Sequence, residues 1–442
     1  MSTKMTLNIQ TKKSAVLAGH TSNVTILCKL LGEDTPANLP ARSPLNLALV
    51  LDKSGSMSGM PLNEAKKCAI NIVKQLTDQD KVCVVAYDDN VEVVSQITSA
   101  SHVKEITHKI KAIRSGGMTN LHGGWDAGVK QLQGCTSDDT VSRVLLLSDG
   151  NANAGISDTA EIVHHTAAAL DKGISTSTYG LGERFNEDLM VQMGNVGGGS
   201  SYYGETADDL DEPFTTEFDL LSSLCAKNVY FDFVSPHHSV KCLNTQLIRK
   251  EKGFQTGNLP YDGAVWVVFE LSVNANGNGE EDNPEQWMDL GTLNVQYTDM
   301  DGVTHQLSKS LRLPVLPTKA YTDLADDEEV AQRILELEVS ELQIMAKEAA
   351  RRHAWDEVDN LLKRVTVLGA DNEWIAEIAL EMRDLAEQRN QQVFMKEAMY
   401  SSRSMQRRQV SSAAYIASDM SMEMDDELPS FMRRKKRQGK KR

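Results

Sequence analysis

Residues 45–59 read LNLALVLDKSGSMSG. Six of the first seven residues are apolar and leave no polar face, as in a strand covered by helices on both sides. The run stops at Asp52, and Ser54 and Ser56 follow in a glycine-containing turn that lets the backbone bend tightly. One carboxylate and two hydroxyls are thus delivered to one place by a rigid strand.

Outward from this stretch, strand and helix patterns alternate. KVCVVAY (81–87) and VSRVLLL (141–147) are further apolar strands, with a shorter one at VEVV (91–94) and two more at ISTSTYGLG (174–182) and SSYYG (200–204). Helical periodicity falls at 61–76, 101–113, 121–133, 157–171, 186–194 and 207–226. Apolar central strands alternating with helices predict an α/β unit over 43–226, a doubly wound, mostly parallel sheet. Residues 228–318 differ: NVYFDFV, GAVWVVFELSV, LGTLNVQYTD and HQLSKSLRLPVL are strands separated by Gly/Asn/Asp turns, a β-rich, sandwich-like pattern. They are few for a complete sandwich. Residues 1–40, which also alternate like strands, are expected to join them, so that the α/β unit is inserted into the β unit.

Residues 323–395 are expected to be a helical segment. Leu335, Val339, Leu342, Ala346 and Ala349 form one apolar stripe, Val358, Leu361, Leu362 and Val365 a second, and Trp374, Ile378, Met382 and Leu385 a third. Short connections predict antiparallel neighbours packed as a bundle, with a coiled-coil face for a partner as the alternative. Residues 400–442 are polar, Ser/Met-rich and aperiodic, and read as a disordered tail.

The chain has 442 residues, 40% of them hydrophobic and 24% charged, and a formal net charge of −16. The last ten residues, RRKKRQGKKR, carry eight of the basic groups, so the remainder sits at −24 (−16 minus 8). An acidic body argues against general affinity for nucleic acid or anionic membranes, leaving the tail as the one segment that could have its own, and no specific nucleic-acid partner is expected. The basic tail lacks aromatic residues for stacking bases, so contact with nucleic acid there would be nonspecific and salt-sensitive. Six scattered cysteines with no C-x-x-C pair suit a reducing compartment. No secretory h-region opens the chain, and no apolar run approaches the roughly 18 residues of a membrane span. The expected location is cytoplasmic.

In an open parallel sheet, ligands gather outside the carboxyl ends of the strands, near the point where strand order reverses. Asp52 ends one central strand and Asp149 ends another in LLLSDG. A third loop, RSGGMTNLHGG (114–124), presents Thr119 on the same rim. Two carboxylates and three hydroxyls are hard donors that select Mg2+, Mn2+ or Ca2+ over zinc. An ion held largely by neutral hydroxyls keeps positive character and seeks an external carboxylate. The competing readings are helix capping for Asp52, Asp149 and Thr119, and turn formation for Ser54 and Ser56. Asp88 and Asp89 read as a solvated turn. The histidines, including His122, His164 and His165, read as surface or packing residues.

DKSGSMSG, GGMTNL and LLLSDG resemble the three segments of the metal-ion-dependent adhesion site of von Willebrand factor type A domains. Asp52, Ser54 and Ser56 match the D-x-S-x-S core, Thr119 the separate threonine and Asp149 the second aspartate. The resemblance covers roughly residues 43–225. It implies metal-dependent, non-catalytic binding of a protein partner whose Asp or Glu completes the coordination. The flanking strands and helical C-terminus are similar to intracellular and bacterial members, which implies an adaptor role, including in complexes with AAA+ ATPases.

Two other classes compete. One is a scaffold whose contacts lie in the helical C-terminus. The other is a metal-dependent hydrolase, but the second carboxylate of a D-x-D phosphatase motif is here Ser54, and neither G-x-S-x-G nor G-x-x-x-x-G-K-[ST] occurs. NVGGGSSYYG precedes a strand rather than opening a helix, so it lacks the geometry of a phosphate cradle. Binding without catalysis is the expectation.

Overall fold

A computed structural model describes residues 5–33, 42–137, 139–182, 184–204, 209, 211–275 and 286–407. Three strands open the chain: β1 (Thr6–Thr11), β2 (Val16–Leu17) and β3 (Thr21–Leu31). The α/β unit follows. Its elements are β4 (Leu45–Asp52), α1 (Met60–Gln75), β5 (Lys81–Tyr87), β6 (Val91–Ser99), α2 (Val103–Ala112), α3 (Leu121–Gln133), β7 (Val141–Ser148), α4 (Thr159–Asp171), β8 (Ile174–Leu181), α5 (Glu187–Val196), β9 (Gly198–Gly204) and α6 (Asp211–Ser222).

The six strands run in the order β6-β5-β4-β7-β8-β9. All neighbours are parallel except the edge pair β5–β6. Every residue of β4, β7 and β8 is buried, because helices cover both faces. In β4 the two-residue side-chain period divides the apolar run. Leu45, Leu47, Leu49 and Leu51 enter the core beneath α1 and α2. Ala48 and Val50 enter the opposite core with Leu121, Trp125 and Val129 of α3. From β4 the chain winds out through β5 and β6, then crosses back to β7 on the other side. The reversal of strand order therefore lies between β4 and β7, where Leu51 pairs with Leu147. Asp52 and Asp149 stand at that crevice.

The chain continues through β10 (Leu224–Val234), β11 (Ser239–Cys242), β12 (Ile248–Lys250), β13 (Gly253–Gln255), β14 (Leu259–Pro260), β15 (Ala264–Asn274), β16 (Trp287–Asp299) and β17 (Thr304–Leu316). The helix read over 207–226 ends at Ser222, and Leu224–Ala226 already belong to β10. Two sheets form, β1-β3-β15-β11 and β12-β13-β10-β16-β17-β2, with β14 beside β10. β3 pairs antiparallel with β15 from Leu31 opposite Ala264 to Thr21 opposite Asn274. Ile26, Cys28 and Leu30 face a core shared with Phe231, Phe233, Phe269 and Leu293.

The helical segment comprises α7 (Thr318–Thr322), α8 (Glu328–Arg351), α9 (Trp355–Leu368), α10 (Glu373–Glu387) and α11 (Gln391–Arg407). Val339, Leu342, Val358, Leu362, Ile378 and Met382 share one core. The final helix crosses residue 400, where the sequence reads as tail. Its seam with α8 is polar: Gln343 donates to Ser401 (2.9 Å), Ser340 and Ser402 hydroxyls lie 2.7 Å apart, and Gln406 donates to Ser340 (2.8 Å). Phe394 and Ala398 join the helical core before residue 400, but beyond it, among the described residues, only Met405 does, too little for periodicity to detect. The basic decamer lies outside the described residues.

α11 also packs on the α/β unit. Tyr400 stacks on Tyr203 at 5.6 Å between ring centres, Arg403 donates to the Val191 carbonyl (3.0 Å), and Lys396 donates to the Phe185 carbonyl and to Glu187 (both 3.1 Å).

Candidate functional site

Asp52 is fully shielded from solvent at the end of β4. Its Oδ1 accepts the Ser54 amide (2.8 Å) and its Oδ2 the Ser148 hydroxyl (2.7 Å). The first of these bends the chain back over the strand end, as aspartates do in Asx turns. Ser54, also buried, lies 3.2 Å from the exposed Ser56 hydroxyl, and Ser56 in turn donates to Asp149 Oδ1 at 2.8 Å. Asp52, Ser54, Ser56 and Asp149 therefore form one continuous polar row across the crevice.

Thr119 reaches the row from the second loop. Its amide donates to Asn153 Oδ1 (2.7 Å), and its carbonyl accepts the Asn153 and Ala154 amides (3.1 and 3.2 Å). A Cβ placed on Gly150 would sit 3.2 Å from Thr119 Oγ1 and 3.7 Å from Ser56 Oγ. The glycine thus leaves a cradle between two of the hydroxyls. Thr119 is not the cap of α3; Asn120 takes that role, accepting the Gly123 amide (3.0 Å).

The loops are tied to each other through the backbone. Gly55 donates to the Gly117 carbonyl (3.1 Å), Gly116 to Lys53 (2.8 Å), and Asn120 to Asp88 (2.8 Å). Gly117 has φ +69°, and a side chain there would collide with Asp89. Asp88 corrects the solvated-turn reading: it is buried and paired with Lys53 at 2.5 Å, which neutralises it beside the row. His122 and His165 ring nitrogens meet at 2.8 Å between α3 and α4.

Electrostatics here disfavours two ionised carboxylates. Burial raises the Asp52 carboxyl above its ordinary range, against the lowering effect of its hydrogen bonds from Ser54 and Ser148. Asp149 is pushed up to about 6, first by burial and further by the Asp52 charge, while the Ser56 hydrogen bond opposes both. A cation would relieve this repulsion. The donors fit a hard cation in chemistry: oxygen throughout, two carboxylates and three hydroxyls. Among the described residues no group of three or more His, Cys, Asp or Glu is placed to hold a metal, so any ion here depends on the hydroxyls.

Sequence reasoning did not single out Ser148, Gly150, Asn153 or Arg184. Ser148 carried one signal, as a polar residue ending an apolar strand directly before Asp149. Asn153 carried none, since its role comes from loop conformation, and neither did Arg184, an exposed residue after β8 whose charge reaches Asp149.

Residues 46–216 match the von Willebrand factor type A domain family. An uncharacterized protein of Synechocystis is 29% identical over 311 residues, covering 67% of this chain and 71% of that protein. Inter-alpha-trypsin inhibitor heavy chain H3 of Homo sapiens is 27% identical over 167 residues, 36% of this chain and 18% of that protein. Among solved structures, a von Willebrand factor type A protein from Catenulispora acidiphila superposes with a TM-score of 0.67 at 16% identity, over 87% of this chain and 89% of that one. The ArnB paralog VWA2 from Sulfolobus acidocaldarius gives 0.61 at 16% identity, over 90% and 98%. At such identities these two likenesses speak to the fold, which extends beyond the α/β unit.

Proposed function

We propose that this chain, whose residues 46–216 are a von Willebrand factor type A domain, is a metal-dependent protein-binding adaptor. Asp52, Ser54, Ser56, Thr119 and Asp149 would hold Mg2+, with Mn2+ or Ca2+ as substitutes, and a partner's Asp or Glu would complete the coordination. Such an ion supplies Lewis acidity toward an external carboxylate. The chain's own part is to hold the donors still: Asp52 from within the core, Ser54 and Ser56 on its turn, Thr119 on the backbone clasp with Asn153. The observation that carries the reading is the polar row from Asp52 to Asp149 at the reversal of strand order.

Both carboxylates are engaged by hydroxyls and assigned to the ion, so the reading is binding rather than hydrolysis. A scaffold acting mainly through its helices is less well supported, because α11 spends contacts on α5 and β9 of its own chain. Adaptor work with an AAA+ ATPase complex in the cytoplasm belongs to the same reading, and six scattered cysteines with no C-x-x-C pair suit a reducing compartment.

The test is isothermal titration with Mg2+ and Mn2+, wild type beside Asp52→Ala. One site in the wild type and none in the variant is expected. Equal heats from both proteins would refute the assignment.

A further inference from the structure

The rim that bears Asp149 continues into a cleft of about 420 Å³ between the α/β unit and the helical segment. Asn151, two residues past Asp149, and Arg184, after β8, line one side; Arg351 at the end of α8 and Gln392 and Lys396 at the start of α11 line the other. Glu187 and Asp188 also border it, but their charges are answered. Lys396 donates to Glu187, while Lys347 and Arg351 both donate to Asp188. With Arg184, three cations (Arg184, Arg351 and Lys396) thus line the cleft against two carboxylates, an excess of one positive charge in a chain of net charge −16; Lys347 and Arg351 also meet Glu348, at 4.0 and 3.1 Å, which leaves the same excess. Arg184 is exposed, and its charge reaches Asp149.

We propose that this cleft receives an acidic peptide segment of the partner. One carboxylate of the segment would complete the ion at Asp149, and another, further along the same segment, would lie against Arg184 beside Gln392. This inference rests on the metal-dependent reading above. Charge complementarity selects the occupant. A polyphosphate chain would use the cations alone, whereas a peptide also finds the side-chain amides of Asn151 and Gln392 for its backbone.

The experiment uses the full chain and a fluorescein-labelled hexaglutamate peptide, followed by fluorescence anisotropy in Mg2+ and in EDTA. Wild type is compared with Arg184→Glu and, because a reversed charge on one loop also acts on Asp149 nearby, with Gln392→Glu on the opposite wall. Each protein is also titrated with Mg2+ alone. Peptide binding that requires Mg2+ and weakens roughly tenfold in either variant, while each variant still titrates one Mg2+ site at least as tightly as wild type, is the expected result. Mg2+-dependent binding of equal strength in all three proteins would overturn the cleft and leave the metal reading standing. So would a wild type that binds Mg2+ but not the peptide. Peptide binding that needs Arg184 yet ignores EDTA would overturn the metal reading and keep the cleft.

Discussion

The Ser56 hydroxyl donates to Asp149 Oδ1 at 2.8 Å, joining loops 93 residues apart in the chain across the crevice between β4 and β7. The bond holds a hydroxyl and a carboxylate in contact above the buried Asp52. It also means that an entering cation meets a site already assembled, at the cost of two carboxylates held close together. Three measurements test this arrangement, and a fourth tests a buried ion pair elsewhere in the α/β unit.

Asp52→Asn keeps the shape and an acceptor for the Ser54 amide but removes a buried charge. The metal-free variant is expected to be more stable than wild type by about 1 kcal/mol, since functional sites trade stability for their charge. Wild type should gain about 2.7 kcal/mol from Mg2+ at a hundred times its dissociation constant, and the variant nothing. Thermal melts in EDTA and in Mg2+ separate the two effects.

Asp149, pushed up to about 6 from an ordinary 3.8, sets a pH dependence. Between those values the folded state binds more protons than the unfolded one, so this group's contribution to stability declines as pH rises. Metal-free wild type, measured relative to Asp149→Asn, should lose stability from pH 4 to 6 and level off above. Stabilisation by Mg2+ should grow as the carboxyl ionises around pH 6. A difference between the two proteins that is flat with pH would contradict the assignment.

Thr119→Ala removes one neutral donor and leaves the backbone clasp with Asn153 in place. It is expected to weaken partner binding more than Mg2+ binding. Parallel titrations with Mg2+ and with the hexaglutamate peptide give the comparison, and equal losses would count against it.

Arg143 and Glu217 form an ion pair fully buried between the sheet and α6, with Ser177 and Tyr202 also donating to Glu217 at 2.5 and 2.8 Å. Burial opposes ionisation of Glu217, but the Arg143 charge and these hydrogen bonds outweigh it and hold the carboxyl below its ordinary range. Glu217→Gln strands a buried cation and should cost about 3–5 kcal/mol in urea unfolding. Replacing both partners, Arg143→Met with Glu217→Leu, should cost less than the single change.

The fold class was legible because a parallel sheet buried on both faces writes itself as largely apolar runs without a polar face. LNLALVL and VSRVLLL could be nothing half-exposed, and the residues that end them mark one rim. The three segments DKSGSMSG, GGMTNL and LLLSDG carry their chemistry in residue type alone. Asp88 was misread because its burial is a product of Lys53, a neighbour only in space. The end of α11 was missed because its seam with α8 is mostly serines and glutamines, with Met405 the one described residue of that end in the apolar core.

The sequence by itself determined which stretches are buried, which side chains end them and what class of ion those side chains suit, since local period and donor chemistry require no knowledge of distant partners. The tertiary structure alone decided that β3 pairs with β15, that Asn153 holds Thr119, and that Arg184 and Arg351 face one cleft beside Asp149. Those relationships depend on loop paths and on packing between residues tens to hundreds of positions apart, and no local pattern encodes them.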